Sequence, residues 1–168
     1  IKGEKAPALD AWSIANGLAA ITKKIEILAA LRPQYHQVAL TAKQIATISQ
    51  ICGGRFSINM VSAWWAEEAR QYGISFDGHD DRYALTHEYT DVLRGFWSKS
   101  PLNHKGKYFS FENSFNEPKP PKMPLVYAGG ESERGREAIT QFADKYLMHG
   151  DTIEEVKEKI ADMKGRKQ

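Results

Sequence analysis

The chain reads as an α/β protein built on parallel strands, and three observations predict that class. Apolar runs of strand length alternate with capped, helically spaced segments along most of the 168 residues. Each strand run is mostly apolar rather than alternating, as expected where right-handed crossovers lay helices over a sheet. One strand also ends in Gly129-Gly130 with a helix directly after it, an arrangement in which α/β proteins hold anions. An open doubly wound sheet and a barrel both meet these observations. A (β/α)8 barrel takes about 250 residues, and this chain has room for about half the strands. Periodicity by itself therefore favours the open sheet.

The elements follow in order. Asp10 caps a helix over Ala11–Ile21, and residues 24–31 form a short apolar strand. Val38–Ile51 is helical, with Leu40, Ile45 and Ile48 expected on one buried face and Cys52-Gly53-Gly54 as its stop. A second strand covers 55–62 and a helical segment 64–72. After the polar residues 77–81, a longer helix runs from about Arg82 to Ser98. Residues 105–111 read as a β-hairpin arm and 117–124 as an extended connector, together an insertion over about 103–123 within a single domain, 1–168. A strand at 125–129, a helix at 131–142 and a strand at 145–149 resume the alternation, and Asp151-Thr152 caps a final helix rich in Glu and Lys.

Composition narrows the function classes. With 42% hydrophobic and 26% charged residues the chain has ordinary soluble composition. Its formal charge of +2 is small and its basic residues are interspersed with acidic ones, which argues against a nucleic-acid partner. No apolar run approaches the ~18 residues of a membrane span, and the first residues lack the apolar core of a signal peptide. The single cysteine, Cys52, excludes an internal disulfide and a cysteine metal cage. A cytoplasmic protein without metal or membrane is the expectation. The chain opens on Ile1 without an initiator Met, so an internal fragment of a longer protein is expected.

Three places could carry chemistry. In Val126-Tyr127-Ala128-Gly129-Gly130-Glu131-Ser132 the glycines allow close backbone approach, the helix start favours an anion, and the Ser132 hydroxyl can donate to it. A plain turn capped by Ser132 fits the same residues equally well. In His79-Asp80-Asp81-Arg82-Tyr83, at a helix entry, His79 and Tyr83 stand four apart and can face one point, as a phosphate site needs. Taken alone, a solvated cap with aspartates against the helix dipole is the commoner arrangement. On the second strand Phe56, Ile58 and Met60 share one face, and Asn59 lies on the other. In a barrel Asn59 would point inward near the ligand-binding end, where its amide can pair with a donor–acceptor ring edge, while a buried Asn satisfied by backbone is the plain alternative. His149 and His36, after the last and first strands, occupy positions that barrels use for catalysis, although a lone strand-end histidine is more often structural. Trp64-Trp65 and Glu67-Glu68 read as packing and solvated charge, because adjacent helical residues point apart.

Taken in order, these motifs resemble the bacterial luciferase-like flavin monooxygenase family. The matching runs are residues 44–62, His79–Tyr83, Gly106-Lys107-Tyr108, Ala128–Ser132 and Tyr146–Gly150, within a resemblance that covers roughly residues 9–164. Residues 61–73 and Met148-His149-Gly150 most resemble the dimethyl sulfone monooxygenases, with alkanesulfonate monooxygenases next. The resemblance implies a (β/α)8 TIM barrel of the luciferase-like type, of which about four central βα units are present. It implies reduced FMN (FMNH2) at the C-terminal mouth. His79, Tyr83 and Ser132 would hold the phosphate with the backbone of Gly130 and Glu131, the Glu131 carboxylate pointing away. Asn59 would meet the ring edge, with Val61 and Ser62 nearby. The implied activity is a two-component monooxygenation. A separate NAD(P)H:flavin reductase delivers the cofactor, and O2 oxidises a small organosulfur compound. That substrate is dimethyl sulfone, giving methanesulfinate and formaldehyde, or a short alkanesulfonate. Relatives of this type form homo-oligomers. Two alternatives stand beside it: a shortened flavin-binding relative without turnover, and a deazaflavin-dependent oxidoreductase of the same fold.

Overall fold

The computed structural model describes residues 7–62, 65–76 and 78–166. Helix α1 (Ala11–Ile21) leads to strand β1 (Ile27–Leu31), and after a single 3-10 turn α2 (Val38–Ile51) leads to β2 (Phe56–Met60). Two helices follow, α3 (Ala66–Gln71) and α4 (His79–Ser98), and then a hairpin of β3 (Leu102–Lys105) and β4 (Ser110–Ser114). The chain continues through β5 (Val126–Gly129), α5 (Glu133–Phe142), β6 (Lys145–Leu147) and α6 (Ile153–Arg166).

The main sheet has the order β1-β2-β5-β6, with every neighbour parallel. That order never reverses, whereas a doubly wound sheet turns back at a switch point. Burial gives the same answer. Along β1 it alternates: Ile27, Ala29 and Leu31 are buried while Leu28 is 45% exposed. The buried set continues through Phe56, Ile58, Met60, Val126 and Ala128, and it packs with Trp12, Ile45, Leu93 and Ile139 from α1, α2, α4 and α5 in one core. The helices therefore cover one face only. The other face, carrying the register row Ala30–Asn59–Tyr127–Lys145, is the inner wall of part of a barrel, and the open sheet favoured by periodicity is corrected.

Local chemistry sets the element ends. The Asp10 carboxylate accepts from Ser13 N–H at 2.7 Å and caps α1. Gly53 and Gly54 take positive φ of 64° and 84° after α2, a backbone region that suits glycine. Three expectations shift. Leu40 is 67% exposed, and the buried face of α2 is Val38, Ala42, Ile45, Ala46 and Ile48, because small alanines let this stripe approach the core. Helix α4 starts at His79, one turn before Arg82. The hairpin strands flank Gly106–Phe109, which form its turn instead of its first strand. Among the described residues no helix is long and apolar enough to cross a membrane.

Candidate functional site

The C-terminal ends of β2, β5 and β6 and the N-termini of α4 and α5 open on one cavity of about 690 Å3, within the size range of small-molecule and cofactor sites. Asn59, Val61, Ser62, Tyr83, Gly130, Glu131, Ser132 and His149 line it together. Eight of the ten residues singled out from sequence thus converge on one place. The side chain of His79 falls outside the described part of the structure; its backbone opens α4.

The turn from β5 into α5 has a fixed polarity. The Tyr146 hydroxyl donates to Gly130 O at 2.8 Å, and Arg136 Nη1 donates to Glu131 O at 2.6 Å. In a planar trans peptide the following N–H points opposite to its carbonyl. The N–H groups of Glu131 and Ser132 are therefore turned away from those two outer donors. Ser132 is the N-cap of α5, and its Oγ accepts from Gly135 N at 3.0 Å. The cap uses an oxygen lone pair and leaves the hydroxyl proton to donate. Capping and anion binding are thus compatible roles for one side chain.

Tyr83 reaches the same turn from α4. A β-carbon built on Gly135 would lie 2.6 Å from its phenol oxygen and 2.8 Å from Ser132 Oγ; one built on Gly130 would lie 3.3 Å from the phenol. Burial raises the Tyr83 phenol above its ordinary range, ahead of the opposing pull of the Arg82 charge. At neutral pH the phenol is a neutral O–H group.

The acidic side chains nearby are tied sideways. Asp80 pairs with Arg134 at 3.0 Å, joining the first turns of α4 and α5. Asp81 pairs with Lys107 at 2.8 Å and accepts from the Tyr108 hydroxyl at 3.2 Å, so the hairpin grips the start of α4. Glu131 turns its carboxylate to Lys159 at 2.8 Å, and that ammonium also meets Asp151 at 2.6 Å.

On the strand side Asn59 Oδ1 is buried without a hydrogen-bond partner among the described residues, an unusual state for a buried amide oxygen. Ser62 Oγ lies 3.0 Å from Thr86 Oγ1, which itself donates to Arg82 O at 2.7 Å, so Ser62 is the donor of that pair. Val61 N–H donates to Leu31 O at 2.8 Å and holds the segment beyond β2 against the end of β1.

The two histidines part company. His149 is exposed, lies two residues past β6 and lines the cavity. His36 is not among the lining residues. Its ring packs against Trp12, with centroids 5.6 Å apart, and burial followed by the Arg32 charge lowers its pKa despite Asp10. Two residues outside the expected set also shape the site. Arg82 lines the cavity with its guanidinium 4.3 Å above the Phe76 ring, and Gly135 makes room for both hydroxyls. A cation inside the His79–Tyr83 motif was the signal for Arg82. Nothing local marks Gly135, since its neighbour Tyr83 lies 52 positions away in sequence.

The residues fit a phosphorylated flavin on two counts: a glycine-lined cradle of donors for an anion, and, in the same cavity, a buried carbonyl without a partner among the described residues for a ring edge. The luciferase-like monooxygenase family model matches residues 2–168, and the chain belongs to that family. Its fold is accordingly part of a luciferase-like TIM barrel. An FMNH2-dependent dimethylsulfone monooxygenase of Pseudomonas fluorescens (strain Pf0-1) is 33% identical over 154 residues, covering 92% of this chain and 42% of the relative. The pyrimidine monooxygenase RutA of Allorhizobium ampelinum is 35% identical over 138 residues, 81% of this chain and 38% of the relative. Among solved structures, DmoA from Hyphomicrobium sulfonivorans superposes with a TM-score of 0.85 at 23% identity, over 97% of this chain and 40% of that one. An F420-dependent secondary alcohol dehydrogenase shares the fold with a TM-score of 0.85 at 22% identity, over 98% of this chain and 51% of that one. The chain spans about two fifths of the length of the curated relatives it matches.

Proposed function

We propose that this chain is the central, cofactor-holding section of an FMNH2-dependent monooxygenase that oxidises a small organosulfur compound, dimethyl sulfone foremost. The observation that carries the reading is the convergence of the Ser132 and Tyr83 hydroxyls on Gly135 at the start of α5, in a cavity that Asn59 also lines, its Oδ1 without a partner among the described residues. Donors at a helix N-terminus suit a phosphate dianion, and the amide oxygen can accept from a flavin ring N–H. His79 would complete the phosphate contacts, and the backbone N–H groups of Glu131 and Ser132 would add two more donors. Arg82 contributes positive charge to the same wall. FMNH2 is preferred to a deazaflavin because the 33%-identical relative is described as FMNH2-dependent.

Bound reduced FMN supplies the oxygen activation. The protein's own tasks are to anchor the phosphate, orient the ring against Asn59 and Ser62, and present the substrate near His149 at the rim. A separate NAD(P)H:flavin reductase would deliver the cofactor, and the enzyme would work as a homo-oligomer.

The test is made on the full-length protein. Titration with FMN, followed by flavin fluorescence, should show binding that Ser132→Ala and His79→Ala both weaken. With a flavin reductase, NADH and O2, dimethyl sulfone should be converted to methanesulfinate and formaldehyde. Failure to consume any one- or two-carbon sulfone or sulfonate would sink the substrate assignment, and binding without turnover would leave a flavin-binding relative. A flavin that purifies with the absorption spectrum of a deazaflavin would replace the cofactor assignment.

A further inference from the structure

The anion cradle carries an acidic residue in its own wall. Glu131 lies between Gly130 and Ser132, the residues whose backbone and hydroxyl face the cavity, and an unrestrained carboxylate there would compete with any phosphate. Among the described residues it is restrained by one ion pair. Lys159, from the second turn of α6, places its ammonium 2.8 Å from Glu131 Oε2 and 2.6 Å from Asp151 Oδ2. The lysine side chain is 22% exposed and that of Glu131 46%, so the pairing is partly open to solvent, and it is the double contact with two carboxylates that fixes the ammonium. Its two carboxylate partners hold its pKa above the ordinary lysine range, Asp151 ahead of Glu131. No residue of α6 appears in the cavity wall, so Lys159 meets the cradle through Glu131.

We propose that Lys159 is a positioning residue for the anion site: it holds the Glu131 carboxylate outward and neutralises it, so that Glu131 presents only its backbone N–H to a bound phosphate. This rests on the reading of the cavity as an FMN phosphate site. Two carboxylates depend on the one ammonium, and losing it frees Glu131 a single residue from the Ser132 hydroxyl.

The experiment compares FMN with riboflavin, which has the same ring and no phosphate, on the full-length protein and on Lys159→Met, Glu131→Gln and the double variant. Lys159→Met should weaken FMN by about tenfold, the scale of one solvent-screened charge several ångströms from a phosphate. Riboflavin affinity should stay within about twofold, because riboflavin brings no phosphate charge to Glu131. In the Glu131→Gln background the same lysine substitution should have little further effect, a non-additivity that marks action through Glu131. An equal loss in both backgrounds would mean that Lys159 attracts the anion directly, and would overturn the inference. An equal loss for FMN and riboflavin would mean general loosening of α6 and would overturn it too. A parent protein that binds riboflavin as tightly as FMN would instead remove the phosphate-site reading, and the inference with it.

Discussion

The phenol oxygen of Tyr83 and the α-carbon of Gly135 are in such close approach that a β-carbon on Gly135 would stand 2.6 Å from that oxygen. Two helix starts that are remote in sequence are thereby locked into one surface, with Ser132 Oγ 2.8 Å from the same missing β-carbon. Substituting Gly135→Ala should improve helix propensity by about 1 kcal/mol, since the position is inside α5. The clash pushes the other way and falls on the two hydroxyls. The expected outcome is a small net change in unfolding free energy with FMN affinity reduced by about tenfold or more, the loss of one hydrogen bond to a charged group. In a Tyr83→Phe background the alanine should be better tolerated, a coupling of about 1 kcal/mol that paired denaturation curves would show. Additive effects would mean that the two residues do not compete for the same space.

Ser132 has two roles that different substitutions separate. Ser132→Ala removes the cap on Gly135 N–H and should lower stability by about 1 kcal/mol. It also removes a donor to the anion, so FMN binding should weaken by about tenfold or more. Ser132→Asp restores a good cap, because aspartate ranks with serine at this position, but it sets a carboxylate against the phosphate. Urea denaturation should place the aspartate variant near the parent, while fluorescence titration should show FMN binding lost. Retained FMN affinity in Ser132→Asp would move the anion away from the start of α5.

These contrasts show which parts of the molecule the sequence carries in readable form. Caps and strand cores are local, so Asp10 before α1 and the apolar runs of β1, β2 and β5 were legible. The face of Asn59 followed from period two, because Phe56, Ile58 and Met60 fix the opposite face. The start of α4 was less legible, since Gly78 supplies no side-chain cap to announce it. Leu40 is exposed because the buried stripe of α2 runs through Val38, Ala42, Ile45, Ala46 and Ile48, which leaves position 40 on the outer side of the helix. Strand order is a long-range property that periodicity does not encode, so periodicity alone points to an open sheet, whereas the ordered motifs already point to the barrel that the pairing shows. His36 shows the same limit: its position after a strand looks catalytic, and only the Trp12 ring beside it shows a packed side chain.

Asn59 offers a prediction of opposite signs. Its buried Oδ1 lacks a partner among the described residues, and such a carbonyl costs about 1–3 kcal/mol when desolvated unsatisfied. Asn59→Leu, close in shape and apolar, should therefore raise the stability of the ligand-free protein by about 1 kcal/mol. The same change should reduce the additional stabilisation that FMN provides, because the ring edge loses its acceptor. Thermal unfolding with and without FMN measures both at once. A variant that destabilises the free protein and leaves FMN stabilisation intact would make Asn59 an ordinary core residue.

The last prediction concerns the hairpin that grips α4. Glu88 accepts backbone N–H bonds from Lys107 at 3.0 Å, Tyr108 at 3.0 Å and Phe109 at 2.9 Å, and its Oε1 lies 3.1 Å from His104 Nε2. Burial raises the carboxyl pKa, but the His104 contact and the three backbone donors outweigh it, so the group sits below its ordinary value of 4.5. A carboxylate whose folded pKa is depressed adds stability in full above its unfolded pKa. That stability is lost as pH falls below about 4.5 and through the lower folded value. Glu88→Gln keeps the shape but not the charge. It should lower stability at neutral pH by about 1–3 kcal/mol, as hydrogen bonds to a charged group are weakened. It should also flatten the acid limb of the stability profile, because the titrating group is gone. The hairpin tip holds Asp81 at the first turn of α4, so loosening it should also weaken FMN binding through the neighbouring Tyr83. Urea denaturation across the acid range, on parent and variant, checks the sign. An acid limb of equal slope in both proteins would assign the pH dependence to other carboxylates.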